Sequence, residues 1–600
     1  MTDVVLDDSQ LAAVEVEPSA RQIVIAGPGS GKTEVVSHLI ERLIDVEGVD
    51  PVDGIMVISF SNAAVFAADA RLRANDTGPA AVQTMDSLAS EIIGDLADDD
   101  PSDFGFDKRV QMATRLLSNH GWDRLEGLKH LVVDEVQDVV GVRADFLLAL
   151  TRSLCEDAGF SMLGDPAQGI YDWQLRVDMK PLSLTTSLDL LAKLQRLGDV
   201  EVKHLTGQYR ALSRDAKRVI ELRDSVLGPD SGSMIEEFFA GVVAGSTVTD
   251  LASNAAKWRG TTVFLTANNG QALLTAGSLA DAGLGVEVRR SAQQRVLAGW
   301  IARLLADSPT AGITRDEIEE RANQGILHPH TPAEIWRALR SVTGGQGREV
   351  NIPNLARGLL RARPLLPDLI EPIQSPFIVS TVHRAKGLEF DNVVYVDFPD
   401  KPRLDGIDDA LDDGEAARRL FVALSRARRL LIRADGPDDR QLRSIAPHGG
   451  TPRRWYLGGF KKWMTFGFEL RVDDLDRASP PGLDPAATQQ HIASNLKPGD
   501  PLQIDLNLDK STLRLPVWDL VHQNHVVGTT SEAFGESVVS RIGTREGKSS
   551  GWPRLNGARV ESIATISGPP QQGTAGRRGL WLAPVCAGML RFEWNGESDV

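Results

Sequence analysis

Cysteine is almost absent from the 600-residue sequence, which has only Cys155 and Cys586 and no CxxC pair. This scarcity excludes a disulfide scaffold and a cysteine-ligated zinc site, and it predicts a reducing, cytoplasmic location. Long hydrophobic runs are also missing, since none approaches the ~18 residues of a membrane span. The acidic N-terminus lacks the layout of a signal peptide. We therefore predict a soluble protein that has no membrane partner.

Positive charge is scarce as well. The chain has 65 Lys and Arg against 82 Asp and Glu, a net charge of −17. This balance excludes a protein that coats nucleic acid by bulk charge, although it is compatible with a local basic groove. The sequence is long, and apolar residues make up 42% of it. These are enough for about four domains of roughly 150 residues each.

Short apolar runs recur along the chain and are separated by helical patterns. The runs lie at residues 23–25, 54–59, 131–133, 160–163, 262–265, 377–379 and 393–396. Buried strands that alternate with helices predict parallel α/β sheets. Residues 292–372 lack this rhythm and are mostly of helical pattern, so we interpret them as an insertion.

A glycine-rich turn follows the first apolar run and precedes a helical pattern, which is the context that a phosphate-binding loop requires. Its residues are Ala26, Gly27, Pro28, Gly29, Ser30, Gly31, Lys32 and Thr33. Glycines allow backbone N–H groups to surround phosphate oxygens at a helix N-terminus. We expect Lys32 to reach the β- and γ-phosphates of ATP and Thr33 to bind Mg²⁺.

A second motif, which is acidic, follows the phosphate loop by about a hundred residues. Here the run LVV (131–133) ends in the segment DEVQD (134–138). Carboxylates at the end of a strand beside a phosphate loop predict a Mg²⁺ site. We expect Asp134 to bind the metal and Glu135 to orient and deprotonate the attacking water.

The segment DEVQD resembles the second motif of UvrD/Rep-type superfamily 1 helicases, and further segments resemble that family's other motifs in the same order. They are the upstream Gln10, ISFSNAA (58–64), QTMDSL (83–88), LGDPAQGIYDW (163–173), LTGQYR (205–210), STVHRAKGLEFD (380–391) and FVALSRA (421–427). The resemblance covers about residues 6–435. It implies two RecA-like P-loop NTPase domains, ATP and Mg²⁺ as cofactors, and single-stranded DNA, or DNA with a 3′ single-stranded tail, as the partner.

The resemblance also implies roles for single residues in ATP binding. Gln10 would read adenine, Tyr209 would stack on it, and Glu389 would contact the nucleotide. Arg210 and Arg426 would bind the phosphates, with Arg426 as an arginine finger, an effect worth ~10³–10⁵ in rate.

A second set of residues would contact or sense the strand. Gln168 would couple the γ-phosphate to DNA. The residues expected to contact DNA are Phe60, Asn62, Thr84, Trp173, Thr381 and His383. If Phe60 and Trp173 hold bases while two motor domains alternate in affinity, the protein would step along single-stranded DNA.

Several positions depart from the family pattern. Glu34 stands where an adenine-covering Arg is usual, and Asp86 and Ala63 replace a His and a Lys on the DNA side. The two insertions, at about 90–129 and 292–372, are short. Because of these departures, we expect the motor domains alone to bind DNA less tightly.

The last quarter of the chain differs in composition. Residues 451–600 contain 17 Lys and Arg against 16 Asp and Glu, and six of the eleven Trp. Cations interleaved with aromatics are typical of a single-strand surface, whereas a β-rich module with buried Trp is the alternative. The fragment EGK (546–548) is a weak nuclease signal, and the pair His328 and His330 is a weak metal signal.

From these observations we predict an α/β protein with two RecA-like motor domains, short helical insertions and a C-terminal β-rich module. The expected boundaries are 1–203 for the first motor domain, 204–291 with 373–446 for the second, 292–372 for the insertion and 447–600 for the module. The expected activity is that of a 3′–5′ DNA helicase or translocase driven by ATP. The alternative is a nucleotide-switched, DNA-stimulated ATPase that recruits a nuclease or defence protein as an accessory partner and unwinds little.

Overall fold

The computed structural model describes residues 5–594 with internal gaps. The residues left out are 60–80, 98–99, 101–103, 178–181, 229–230, 243, 256, 290–295, 324–329, 345–346, 362–364, 373–374, 399–412, 446–452, 460–464, 547–550 and 587. The chain divides into two compact units. The first comprises residues 1–242, 386–389 and 400–431, and the second comprises 243–385, 390–399 and 432–600.

A six-stranded parallel sheet forms the centre of the first unit, in the order β3-β2-β4-β5-β1-β6. Its strands are β1 (Arg21–Ala26), β2 (Ile55–Ser59), β3 (Ala81–Thr84), β4 (His130–Asp134), β5 (Gly159–Gly164) and β6 (Val200–Leu205). Successive side chains of β1 enter different cores, with Ile23 and Ile25 on one face and Val24 and Ala26 on the other. The sheet is covered on both faces, which explains why its strands read as unbroken apolar runs.

The helices of the first unit up to residue 241 precede, connect or follow these strands. They are α1 (Asp8–Val14), α2 (Lys32–Asp45), α3 (Met85–Leu96), α4 (Phe106–His120), α5 (Arg124–Gly127), α6 (Val142–Arg152), α7 (Gln174–Val177), α8 (Ser187–Gln195), α9 (Arg214–Glu221) and α10 (Ser231–Gly241). Side chains cap several of them. Asp7 caps α1 in a capping box with Gln10, and Thr84 caps α3 by accepting from the Ser87 N–H. Such caps satisfy N–H groups that a helix cannot pair internally.

The second unit contains another sheet built on parallel pairs, in the order β7-β14-β13-β8-β12-β9. Its strands are β7 (Ala244–Thr247), β8 (Thr262–Thr266), β9 (Glu287–Val288), β12 (Phe377–Thr381), β13 (Phe390–Asp397) and β14 (Ala427–Asp435). The helices near these strands in sequence are α11 (Val248–Ala255), α12 (Asn269–Asp281) and α17 (Val382–Ala385), together with α18 (Asp413–Leu424), which belongs to the first unit. Each apolar run noted in the sequence is a strand of one of the two sheets.

The segment between β9 and β12 is mainly helical. Its helices are α13 (Gly299–Leu305), α14 (Arg315–Asn323), α15 (Pro332–Thr343) and α16 (Ile352–Leu360). A short antiparallel pair, β10 (Gly312–Thr314) and β11 (Glu349–Asn351), joins them. This segment has its own apolar core and bonds to the C-terminal part of the chain, since the Thr565 hydroxyl donates to the Ala298 carbonyl at 2.7 Å.

The C-terminal part forms an antiparallel sheet of nine strands within the described residues. They are β15 (Leu442–Ile445), β16 (Arg454–Gly458), β17 (Thr465–Leu470), β18 (Pro501–Leu506), β19 (Trp518–His522), β20 (His525–Thr529), β21 (Arg554–Ser567), β22 (Leu580–Cys586) and β23 (Gly588–Glu593). Two helices pack with it, α19 (Pro485–Ser494) and α20 (Glu532–Ile542). The predicted fold class, mixed α/β with a β-rich C-terminal module, is confirmed.

None of the helices in the described part of the chain is both long enough and apolar enough to span a bilayer.

Candidate active site

The phosphate loop connects β1 to α2 at the carboxyl edge of the first sheet. Gly29 and Gly31 have φ angles of +77° and +80°, a region that favours glycine. A Cβ on Gly31 would lie 2.3 Å from the Gln10 Nε2, and one on Gly29 would lie 2.4 Å from the Arg210 Cβ. Glycine is therefore required here both by backbone conformation and by close packing.

Lys32, the first residue of α2, lies between the two carboxylates that end β4. Its Nζ is 2.5 Å from the Glu135 Oε1 and 3.3 Å from the Asp134 Oδ1. Burial alone would lower the pKa of Lys32, but the two carboxylates outweigh it and raise that pKa. The structure thus brings together the lysine and both carboxylates that the sequence predicted, although they are more than a hundred positions apart.

The two carboxylates differ in electrostatic environment. Burial raises the pKa of Asp134, with Lys32 acting against it. Burial would also raise the pKa of Glu135, but Lys32 and Lys386 lower it to about 2. Glu135 is therefore ionised at neutral pH and can accept a hydrogen bond from a water molecule. Its backbone lies in the left-handed region, at φ +57°, which is uncommon for a residue with a side chain and recurs at functional sites.

A chain of hydrogen bonds leads away from Glu135. Gln137 donates its Nε2 to the Glu135 carboxylate and accepts the Asp165 backbone N–H on its Oε1 at 3.0 Å. The buried Asp165 carboxylate accepts from the Gln168 Nε2 at 2.9 Å. The Gln168 Oε1 in turn accepts from the Arg426 Nη2 at 2.7 Å. The expected base and the expected arginine finger are therefore joined through three intervening residues, with the Asp165 backbone N–H making one of the links.

Arg426 is the most deeply buried arginine of the site, with 1% of its surface exposed. Its Nε donates to the Val422 carbonyl at 2.9 Å. Burial, together with the nearby Arg210, lowers the pKa of Arg426 to about 9, so it stays charged at neutral pH. A desolvated cation of this kind is suited to bind a phosphate oxygen.

Arg210 lies on the segment before α9 and pairs with a predicted nucleotide contact. Its Nη2 is 2.8 Å from the Glu389 Oε1, and its Nη1 donates to the Ser425 carbonyl at 3.4 Å. The structure therefore places Arg210, Glu389 and Arg426 together, and all three belong to the first unit.

Lys386 forms a second buried ion pair with Asp138 next to this chain. It also donates to the Gln168 carbonyl at 2.6 Å and lies 5.3 Å from the centre of the Tyr171 ring. Burial raises the pKa of Asp138 to about 6 even though Lys386 acts in the opposite direction.

The two residues expected at the adenine are near the phosphate loop. The buried Gln10 amide donates to the Ser30 carbonyl at 3.0 Å and accepts from the Asp7 N–H at 3.0 Å. Tyr209 is 55% exposed, and its hydroxyl donates to Asp7 at 2.5 Å. Both side chains therefore lie close to the phosphate loop. The Gln10 amide also takes part in the capping box of α1.

The residues expected to contact DNA are spread over both units. In the first unit, Thr84 caps α3 and Trp173 is half-buried after β5. In the second unit, Thr381 is buried at the end of β12 and His383 is half-buried on α17. Phe60 and Asn62 lie outside the described residues. The roles of all six stay predictions.

The donor set at the loop fits a magnesium ion. Thr33 presents an exposed hydroxyl at the N-terminus of α2, and Asp134 supplies a carboxylate. Mg²⁺ is usually held by one or two carboxylates and by substrate phosphates rather than by an all-protein cage. Consistent with this, no group of three or more His, Cys, Asp or Glu in the described part of the chain could hold a metal.

The sequence reasoning missed several residues of this network. Gln137, Asp165 and Lys386 lie inside recognised motifs, so the motif context was a usable signal for them. Arg223 lies outside every motif, yet its Nε and Nη2 approach the Asp165 Oδ1 at 2.9 and 2.8 Å. Nothing in the local sequence around Arg223 indicates this contact.

The C-terminal tryptophans are mainly core residues. Trp518 and Trp581 are almost fully buried, and Trp552 is 7% exposed. The Arg545 guanidinium lies 5.1 Å from the Trp552 ring and 4.7 Å from the Trp594 ring, so these cations and aromatics pack on each other. For these residues the buried β-rich interpretation is correct.

The weak nuclease and metal signals gain no support. Glu546 pairs with Arg514 at 2.7 Å, and Lys548 lies outside the described residues. His330 is 3.7 Å from Asp368, and His328 also lies outside the described residues.

A glycine-rich loop at a helix N-terminus, a lysine held by two strand-end carboxylates and a buried arginine define the nucleotide site of a P-loop NTPase. Residues 6–102 match the UvrD/REP helicase N-terminal domain, and residues 376–432 match the UvrD-like helicase C-terminal domain. Two separate segments of the chain are therefore similar to the N-terminal and C-terminal domains of UvrD-like helicases, which confirms the predicted resemblance.

No curated protein matches the chain. Among solved structures, a Pif1 helicase from Bacteroides in complex with ADP-AlF3 and ssDNA aligns at 12% identity and a TM-score of 0.32. The alignment covers 72% of this chain and 92% of that one.

Proposed function

We propose that the protein is a DNA translocase and helicase that hydrolyses ATP to move in the 3′–5′ direction along single-stranded DNA. The observation that carries the proposal is the unbroken hydrogen-bond chain from Glu135 to Arg426, which starts beside Lys32. Such a chain can report the state of the γ-phosphate to residues near Gln168. The polarity is inferred from the family resemblance.

The side chains of the loop have distinct proposed roles in hydrolysis. Lys32 would leave its carboxylate partners to bind the β- and γ-phosphates. Thr33 and Asp134 would hold Mg²⁺, which neutralises charge on the phosphates when bound. Glu135, released from Lys32, would orient the attacking water and accept its proton.

Arg210 and Arg426 would stabilise the charge that develops on the γ-phosphoryl group. Both guanidiniums are close together and partly desolvated, so their attraction for phosphate is weakly screened. After hydrolysis, Arg426 would return to Gln168 and Arg210 to Glu389. We propose that this exchange of partners is the step that changes the protein's hold on DNA, through Thr84 and Trp173 in the first unit and Thr381 and His383 in the second.

The proposed cycle depends on the predicted domain arrangement. We propose motor domains at 1–203 and at 204–291 with 373–446, an insertion at 292–372 and an accessory module at 447–600. We further propose a cytoplasmic location, because two cysteines in 600 residues do not provide a disulfide framework.

The test is ATP turnover with and without single-stranded DNA, measured for wild type and for Glu135→Gln. We expect DNA to stimulate wild type, and Glu135→Gln to lower turnover by about 10²–10⁴-fold, the usual contribution of a general base. Glu126→Gln, an exposed site on α5, is the matched control and should keep wild-type turnover. ATP turnover that DNA does not stimulate, or that Glu135→Gln does not lower, would contradict the proposal.

One observation favours the alternative of a nucleotide-switched recruiter that unwinds little. Asp86, which replaces a usual His on the DNA side, forms an ion pair with Arg143 at 2.8 Å, and Arg143 also pairs with Asp107. A cation that could bind DNA is thereby neutralised. A fork with a 3′ tail distinguishes the two: strand separation by the purified protein supports the helicase, and ATP turnover without separation supports the recruiter.

A further inference from the structure

A large groove lies within the second unit. Its volume is about 1040 Å³, and every residue that lines it belongs to that unit. Helix α12 and strand β9 line one side, and strands β21 and β23 line another. The lining follows α12 from Leu273 to Asp281, a distance of about 12 Å at ~1.5 Å per residue. This length matches about four residues of extended chain at ~3.3 Å each.

Strand β9 presents an open backbone edge at this groove. Within the described residues β9 is the last strand of its sheet, with β12 as its neighbour. Val288 lies opposite Val379 in the register, and the Arg289 N–H donates to the Val379 carbonyl at 2.8 Å. Because alternate residues of a strand direct their backbone groups to opposite sides, the Val288 N–H and C=O point away from β12. Val288 also lines the groove, so an extended segment there could pair with its backbone.

Apolar side chains contribute to the groove from several elements. Leu274 on α12 and Val286 before β9 are half-buried, as are Leu457 on β16 and Met589 on β23. Side chains in this state lose further apolar surface to a ligand that covers them, which favours binding. In an added strand, successive side chains point to opposite faces, so every second one could contact this surface.

The lining of the groove is acidic. Its carboxylates are those of Asp281, Glu287, Asp438, Glu561 and Glu593. Its guanidiniums are those of Arg559, which lies 3.6 Å from Asp281, and Arg591. Asp438 pairs with Arg440 beside the groove, and even without these two pairs three carboxylates remain against one guanidinium. Such a lining repels the phosphates of a nucleic acid and attracts lysine and arginine side chains.

We propose that this groove binds a basic, extended segment of a partner protein, which pairs with β9 as an added strand. Lysine or arginine side chains of the segment contact the carboxylates of the groove, and alternate apolar side chains cover Leu274 and Met589. The inference goes beyond the proposed function, because neither ATP nor DNA takes part in this contact.

The experiment measures the fluorescence anisotropy of a labelled octapeptide of alternating Lys and Val, titrated with the full-length protein. We expect saturable binding of one peptide per chain. Two further peptides have N-methyl groups on all Lys or on all Val. Because only one of these sets faces β9, one N-methylated peptide should bind about tenfold more weakly and the other should bind like the parent. Equal affinities for the two would contradict strand addition.

A pair of glycine variants tests where the peptide binds. Gly277 lines the groove on α12, and a Cβ there would have nothing within 4 Å. Gly277→Trp should therefore fold, obstruct the groove and weaken binding by at least about tenfold. The matched control is Gly94→Trp on α3, which is equally open and lies in the first unit. Circular dichroism and thermal midpoints establish that both variants are folded.

A pair of charge reversals tests the acidic lining, and it also decides if Gly277→Trp does not fold. Glu593→Lys reverses an exposed charge of the groove and should weaken binding by about fivefold at low salt. Glu319→Lys makes the same change at an exposed position of α14 outside the groove and should have little effect. Equal weakening by both would show that the peptide responds to the net charge of −17, and the groove proposal would be wrong.

The remaining outcomes also decide the matter. Failure of wild type to bind the peptide, or wild-type affinity in folded Gly277→Trp, overturns the proposal. If sedimentation velocity finds a dimer that Gly277→Trp dissociates, the groove is an interface between copies of this chain and the partner segment is wrong. ATP turnover with single-stranded DNA should be the same in wild type and Gly277→Trp, so each of these results leaves the proposed function intact.

Discussion

Arg223 contacts the Asp165 carboxylate, which also accepts a hydrogen bond from Gln168. Two of its nitrogens approach the Asp165 Oδ1, and the other oxygen of Asp165 accepts from Gln168. Its Cδ would also lie 3.3 Å from a Cβ on Gly27 in the phosphate loop. We therefore predict that Arg223 is a positioning residue that acts on Arg426 through Asp165 and Gln168.

We predict that Arg223→Ala lowers DNA-stimulated kcat by about tenfold with a smaller change in the KM for ATP. The reason is that hydrogen bonds to a charged group are worth about 1.5–3 kcal/mol and their loss frees Asp165 to repel or misplace Gln168. Steady-state ATP turnover at saturating single-stranded DNA measures the effect. The control is Arg218→Ala, because the Arg218 side chain is exposed on α9.

A double-mutant cycle distinguishes positioning from simple loss of stability. If Arg223 acts through Gln168, the effects of Arg223→Ala and Gln168→Ala on kcat should fall short of additivity by more than about 0.5 kcal/mol. Fully additive losses in kcat would show that Arg223 affects turnover by another route.

At the scale of elements, the phosphate loop depends on backbone that only glycine provides. Gly31 combines a φ of +80° with a space that the Gln10 amide already fills. We predict that Gly31→Ala weakens ATP binding by more than tenfold, because the left-handed backbone costs about 1–2 kcal/mol and the loop must also shift away from Gln10. Binding of a fluorescent ATP analogue measures this loss.

Gly94 provides the matched glycine control. It lies within α3, and a Cβ there would have nothing within 4 Å. Gly94→Ala should therefore leave ATP affinity unchanged and raise stability by about 0.5–1 kcal/mol, the usual gain of alanine over glycine in a helix. Equal losses of ATP affinity in both variants would contradict the assignment of a special role to the loop backbone.

Local sequence patterns predicted the elements well and their long-range partners poorly. Apolar runs indicated the strands, and the order of residues in the phosphate loop indicated its turn. Both features depend on residues that are adjacent in the sequence. The pairing of Arg223 with Asp165 depends on a fold that brings together residues 58 positions apart. Charge patterns also misled at the C-terminus, where Arg545 packs on Trp552 inside the module.

The hairpin β19–β20 illustrates the opposite case. Its turn residues Gln523 and Asn524 both have positive φ angles, as the favoured two-residue hairpin turn requires. The conformation of this turn depends on two adjacent residues, so it is a local property of the sequence.

At the scale of the whole molecule, the net charge of −17 does not prevent a local cationic site. Exposed charges more than about 8–10 Å apart are largely screened at physiological salt, so a phosphate group responds mainly to the nearest cations. A local group of basic side chains can therefore attract a phosphate although acidic residues outnumber basic ones in the chain. The acidic surplus instead opposes nonspecific coating of DNA.

The stability of the molecule should fall in mild acid because of a histidine cluster in the C-terminal module. The His491 Nε2 is 2.9 Å from the His522 Nδ1, and the His491 ring stacks on His525 at 3.9 Å. Asn495 also contacts His491, and Asp500 lies 3.5 Å from His522. Burial and the two neighbouring histidines lower the pKa of His491.

The sign of the effect follows from that lowered pKa. The folded protein favours neutral His491, whereas the unfolded chain binds a proton near pH 6.5, so the stabilisation is present above about pH 6.5 and is lost as the pH falls toward the folded pKa. Each kcal/mol lost lowers the Tm of a module of this size by roughly 2–4 °C. Tryptophan fluorescence can follow the transition, since Trp518 and Trp581 are buried in this module.

We predict that His491→Gln reduces the drop in Tm between pH 7.5 and pH 5.5, because the variant has one proton-binding group fewer to ionise on unfolding. His120→Gln, at the exposed end of α4, should keep the wild-type drop. Carboxylates elsewhere also titrate in acid, but they are the same in all three proteins and cancel in the comparison. An identical drop for wild type and His491→Gln would mean that the cluster tolerates the extra charge, most directly by pairing His522 with Asp500.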